Sequence, residues 1–140
     1  NDAIKSILSA KLLEAQNRGI SISVEVEEPI SNFRIELLDF ITVLSVLCDN
    51  AIEAAIETIS PKMTVVFINN DDSLVLIVEN SIKSEKVKVS RIFVRGHSSK
   101  GKGRGLGLHN VNSILEKYPK STITTRSANH LFSQTIRFCK

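Results

Sequence analysis

Gly103-Arg104-Gly105-Leu106-Gly107-Leu108 is followed at once by apolar residues at helical spacing: Leu108, Val111, Leu115 and Tyr118. Glycine lets a backbone turn tightly and approach a ligand with no Cβ in the way. A helix that starts there offers unpaired N–H groups and the positive end of its dipole. Together these make a seat for a phosphate chain. Lys100, Lys102 and Arg104 add positive charge beside it. Two common phosphate loops are excluded. No Gly-Lys-Ser/Thr follows a strand, and the preceding segment, 83–102, is polar and loop-like, whereas the dinucleotide fingerprint closes a buried strand. Alone, the stretch also suits a hinge or a tight helix entry; with its charge, the expectation is a domain that holds a nucleotide polyphosphate.

The surroundings favour a small polyanion over a nucleic acid. Residues 83–104 carry eight Lys/Arg against one acid, Glu85. The whole chain has a net charge of only +3, too weak an imbalance for a nucleic-acid face. Six Phe, one Tyr and no Trp leave little for base stacking. A length of 140 residues fits one domain, and a hydrophobic content of 42% suits a packed core. No apolar run approaches the roughly 20 residues that span a bilayer. The chain begins Asn1-Asp2 without Met, so the expectation is a piece of a longer chain, which leaves room for a membrane segment upstream. Cys48 and Cys139 are far apart; Cys48 sits in an apolar helical pattern and reads as a buried free thiol of a reducing compartment.

Hydrophobic periodicity gives the elements. Ile4, Ile7, Leu8, Leu12 and Ala15 share one helical face over 2–17, with Gly19 as the stop. Ile20, Ile22, Val24 and Val26 alternate as a half-buried strand. Residues 29–32 connect to a long helix over 33–58, apolar on most sides in its first half. Segments 64–68 and 74–78 form a hairpin around Asn69-Asn70-Asp71-Asp72. A third helix over 105–118 stops before Pro119, and 121–126 and 131–138 make a last hairpin. The class expected is α+β: a two-layer sandwich with helices on one face of a mixed sheet.

Asp49-Asn50-Ala51-Ile52-Glu53-Ala54 interrupts the apolar helix. Asn50, Glu53 and Glu57 fall on one face, with Val46 a turn earlier. Amide and carboxylate oxygens are hard ligands suited to Mg²⁺; the plainer reading is a helix emerging into water. Glu79-Asn80-Ser81 ends a strand where the basic loop begins, and either Glu79 or Asn80 could accept a hydrogen bond from an adenine amino group.

In this order the motifs resemble the ATP-binding catalytic domain of sensor histidine kinases, in the gyrase/Hsp90/histidine kinase/MutL superfamily. Leu47 to Ala54 is similar to its N box, and Gly103 to Val111 to its second glycine box. In detail the chain resembles the peptide-pheromone receptor kinases of Gram-positive bacteria. The resemblance implies the Bergerat-type fold and ATP and Mg²⁺ as cofactors. It makes Asn50 the Mg²⁺ ligand and Glu79 or Asn80 the adenine contact. Gly103, Gly105, Leu106, Gly107 and Leu108 fall at the phosphates, with Lys100, Lys102 and Arg104 neutralising charge. It makes 83–102 the ATP lid, 1–18 the end of the upstream dimerisation and phosphoacceptor helices, and 19–140 the catalytic domain. The phosphorylated histidine falls upstream; His97, His109 and His130 read as structural or surface residues, the alternative for His109, at the start of the third helix, being contact with phosphate or the helix dipole. The isolated domain is expected to be monomeric and the parent a dimeric membrane receptor with this domain in the cytoplasm, serving a response regulator indirectly. A serine kinase of the anti-sigma-factor type and a degenerate binding scaffold share these motifs.

Three departures accompany the resemblance. Glu79-Asn80-Ser81-Ile82-Lys83 lacks the glycines of the first glycine box. Val46 stands where the superfamily's hydrolases carry a glutamate, and it cannot act as a base, so ATP hydrolysis should be slow. The lid offers Phe93 and little else that matches.

Overall fold

A computed structural model describes residues 2–27, 35–69, 72–83 and 104–139. Within them the order is α1 (Asp2–Asn17), β1 (Ser21–Val26), α2 (Leu37–Ala55), β2 (Lys62–Asn69), β3 (Ser73–Ser81), α3 (Arg104–Leu115), β4 (Ser121–Ala128) and β5 (Leu131–Cys139). The strands form one sheet in the order β1-β2-β3-β5-β4. β1 and β2 are parallel, which requires a crossover, and α2 supplies it. The remaining pairs are antiparallel. The sandwich of helices on one face of a mixed sheet is as expected.

Local chemistry fixes the joints. Gly19 takes φ +82, donates to the Gln16 carbonyl at 3.0 Å, and lets Ile20 donate to the Ala15 carbonyl at 3.1 Å. This double closure ends α1 and folds buried Ile20 back over buried Ala15. Asn129 and His130, at φ 53 and 62, form the two-residue turn between β4 and β5, where both central residues must be left-handed.

The period of two along each strand sorts the faces. Met63, Val65 and Phe67 of β2, Leu74, Leu76 and Val78 of β3, and Ile136 and Phe138 of β5 point into one core with the helices. α2 covers it with Phe40, Val43, Leu44, Leu47, Cys48, Ala51, Ile52 and Ala55. The Phe40 ring lies 6.2 Å from both Phe67 and Phe138. Each such buried side chain contributes about 1.5–3 kcal/mol over its exposed state.

Three expectations are corrected. α2 is shorter than 33–58. It begins at Leu37 and ends at Ala55, where the Thr58 hydroxyl caps the Ala55 carbonyl at 2.7 Å in place of a further helical turn. α3 ends at Leu115 and not at 118, because the Lys117 and Tyr118 N–H groups bond three residues back in a tightened turn before Pro119. In β1 the alternation is not matched by burial: Val24 and Val26 are 38% and 52% exposed. Among the described residues β1 is an edge strand with one strand neighbour. The 29–32 connector, and all of the 83–102 lid except exposed Lys83, lie outside the described residues.

Candidate functional site

The site is built where α2 and α3 meet above the sheet. A Cβ at Gly107 would lie 3.2 Å from Val46 Cγ1, tighter than most side-chain contacts. Glycine at 107 therefore lets the first turn of α3 close onto α2 one turn before Asn50. The Asn50 side of α2 is brought beside the N–H groups at the head of α3, which have no partner within the helix itself. Asn50 is half-buried. Its neighbour Asp49 pairs with Lys11 of α1 at 2.6 Å. With those side chains 22% and 42% exposed, the pair contributes under about 1 kcal/mol. Leu108 is buried beneath the head of α3.

The strand alternation separates Glu79 from Asn80. Asn80 opposes Met63 and Phe132 and continues the helix-facing row of Leu74, Leu76 and Val78. Glu79 opposes Thr64 and Ser133 on the other face. Asn80 is 3% exposed, and its Nδ2 donates to the Ser81 carbonyl at 3.0 Å. The Ser81 hydroxyl lies 3.0 Å from that of Thr58 and accepts the Lys62 N–H, so the end of β3 is tied to the chain leaving α2.

Two polar atoms in the same layer stand out. Gln134 Nε2 and Thr125 Oγ1 are buried without a hydrogen-bond partner among the described residues. They sit opposite each other on β5 and β4, and Gln134 also opposes Val78. An unsatisfied buried donor costs about 1–3 kcal/mol. Sequence reasoning passed over both. The available signal was a glutamine in the inward row Phe132, Gln134, Ile136, Phe138.

Among the described residues no three His, Cys, Asp or Glu side chains gather as a metal cluster. An amide oxygen at Asn50 suits Mg²⁺ that takes most of its ligands from phosphates and water. No helix of the described residues is long and apolar enough to cross a membrane.

Residues 35–139 match the family described as the GHKL domain. The chain belongs to the GHKL family. This GHKL domain is 30% identical over 118 residues to the sensor protein CitS of Bacillus subtilis (strain 168). That match covers 81% of this chain and 22% of CitS, so the chain spans a small part of its relative. Its fold is that of the catalytic domain of the histidine kinase ThkA in a nucleotide-free form, with a TM-score of 0.81, 19% identity, and 100% and 93% of the two chains covered. The mycobacterial sensor histidine kinase MprB gives a TM-score of 0.72 at 15% identity, over 97% and 93%.

Of the residues expected at a site, the GHKL domain gathers Asn50, Asn80, Gly107 and Leu108 on the helix side of the sheet. Glu79 is on the opposite face. Arg104, Gly105 and Leu106 form the start of α3, which begins one residue before the expected 105. Lys100, Lys102, Gly103 and His97 lie outside the described residues. His109 is half-buried on α3, and its carbonyl accepts the Ser113 hydroxyl at 3.1 Å. His130 is exposed in its turn, where its carbonyl accepts the Ile82 N–H at 2.9 Å.

Proposed function

We propose that this GHKL domain binds Mg-ATP and positions the γ-phosphate for transfer to a histidine on a helical element preceding α1 in a longer chain. The observation that carries the reading is the contact between Val46 and Gly107, which sets Asn50 against the head of α3 on the side where Asn80 lies. Asn50 holds the metal. The unpaired N–H groups at Gly103, Gly105 and Leu106 receive phosphate oxygens, Gly107 and Leu108 seat that helix start against α2 and the core, and Lys100, Lys102 and Arg104 offset the phosphate charge. Asn80, by its facing, is favoured over Glu79 as the adenine contact. Mg²⁺, when bound, neutralises phosphate charge. Phosphoryl transfer needs positioning and charge stabilisation more than a reactive protein group. Val46 offers no base to a water molecule, which saves the γ-phosphate for the acceptor.

The partners follow from this reading. They are the phosphoacceptor helices of the same receptor, joined through α1, and a response regulator that takes the phosphoryl group afterwards. The parent is a dimeric membrane-bound sensor with this domain on its cytoplasmic side. A quorum-sensing role, as in the staphylococcal accessory gene regulator receptor, rests on the sequence resemblance.

Calorimetric titration with a non-hydrolysable ATP analogue, with and without Mg²⁺, tests the reading. Mg²⁺-dependent binding is expected. Asn50→Ala should weaken it at least about tenfold while leaving the thermal midpoint nearly unchanged, since a half-buried amide carries little of the core. Equal affinity in the variant would remove Asn50 from the metal. Silence at millimolar nucleotide would turn the reading to an interaction scaffold.

A further inference from the structure

We propose that Gln134, with Thr125 beside it, is a nucleobase-reading residue that donates a hydrogen bond to a ring nitrogen of the purine. The inference rests on the nucleotide reading above and names how the base is recognised. Gln134 is 3% exposed, and its Nε2 has no partner among the described residues. Thr125 Oγ1, directly across on β4, is in the same position. Buried polar atoms in folded proteins are almost always partnered, so two adjacent orphans point to a group that arrives later. Both side chains face the helix layer, in the row that also holds Ile123 and Ile136.

The placement relative to Asn80 gives the ligand. Gln134 opposes Val78, and Asn80 is the next inward residue along β3. Such diagonal neighbours are about 7–8 Å apart at the backbone, within reach of long side chains, so one purine can meet both amides. Asn80 commits Nδ2 to the Ser81 carbonyl, which leaves its oxygen to accept from an exocyclic amino group. Gln134 Nε2 and Thr125 Oγ1 are donors, and ring nitrogens of adenine are acceptors. An acceptor from Asn80 and donors from the neighbouring strands match the alternation on an adenine edge. Apolar residues would fill the same row without orphaned atoms, so the amide has its use in the bound state.

The test is titration of the chain with Mg-ATP, 1-deaza-ATP and 7-deaza-ATP, each deaza analogue lacking one ring acceptor. Gln134→Met should fold with an equal or higher thermal midpoint, because an orphaned group is removed. It should bind ATP about five- to tenfold more weakly, the loss of one neutral hydrogen bond. The wild type should show the same loss against one deaza analogue, and Gln134→Met should add nothing further to it. Thr125→Val is run in parallel and carries the test if Gln134→Met does not fold. Unchanged ATP affinity in both variants would overturn the proposal. So would an equal loss against ATP and both analogues, which marks a structural role. A wild type that binds no ATP at all defeats the nucleotide reading and this inference with it, whereas wild-type binding untouched by the substitutions defeats this inference alone.

Discussion

Position 107 shows how one missing Cβ sets a site. Val46 is β-branched and has a single favoured rotamer on a helix, so it cannot swing away from an added methyl. Gly107→Ala gains about 1 kcal/mol of helix propensity and loses about 1–3 kcal/mol to overpacking against Val46. Overpacking wins, and denaturant titration should show a net loss of about 1 kcal/mol. In a Val46→Ala background the same substitution should become stabilising; a loss of the same size there would show that the contact is not the cause. The Cys48 thiol makes a pH-dependent contribution. Burial, with Asp49 adding to it and Lys11 opposing, pushes its pKa from 9.0 up to about 12. The unfolded chain therefore sheds a proton from about pH 9 upward that the folded chain keeps. The contribution is fully present below pH 9 and is lost as pH rises from 9 toward 12. Cys48→Ala should lose less stability than the wild type between pH 8 and pH 10.5. Parallel curves would exclude the thiol as a source of the alkaline slope. That position 107 is a glycine of note is legible in the sequence, as part of a glycine-rich stretch that opens a helix. That the glycine answers to Val46, 61 positions earlier in the chain, is not, because the contact exists only once two helices have docked.

Among the elements, α2 and α3 are joined at both ends. At one end lies the Gly107 contact. At the other, the Tyr118 hydroxyl donates to Asp39 Oδ2 at 2.6 Å and accepts the Glu36 N–H at 3.1 Å, while its ring meets Phe138 edge-on at 5.9 Å. Burial and the bond to Asp39 raise the Tyr118 pKa, with the Glu36 N–H opposing. The hydroxyl thus remains a donor at neutral pH. Tyr118→Phe keeps the ring contact and removes both hydrogen bonds. It should cost about 1–2 kcal/mol, since one acceptor is charged. A melt unchanged within error would mean that Lys117, 3.5 Å from Asp39, already holds the carboxylate. Element type and order were readable from periodicity and turn residues. The ends of α2 and α3 were not, because they are decided by the Thr58 hydroxyl and by the turn that delivers Tyr118 to Asp39. Neither bond has a local sequence signature.

Across the whole molecule, α1 is part of the core. Ile4 and Ala15 are buried within it, and Ile7, Leu8 and Leu12 pack against it. Removing residues 2–17 should lower the unfolding free energy by on the order of 5 kcal/mol, from the apolar surface uncovered on α1 and α2 together. That is a large part of what a domain possesses, so the shortened chain should unfold at much lower urea or fail to fold. An unchanged urea midpoint would make α1 an appendage. α1 is packed on α2, and the Lys11–Asp49 pair joins the two helices one residue before Asn50.

The sequence by itself determined the class of fold, the strand pairs joined by tight turns, and the two polar motifs that mark the site. Those depend on interactions a few residues apart: helical and strand periods, glycine at a helix end, a left-handed two-residue turn. Only the tertiary structure decided that Asn80 and not Glu79 faces the helices, that Gly107 meets Val46, and that Gln134 Nε2 and Thr125 Oγ1 find no partner among the described residues. Each of these depends on pairing between segments far apart in the chain, where a shift of one residue along a strand would turn every side chain to the other face.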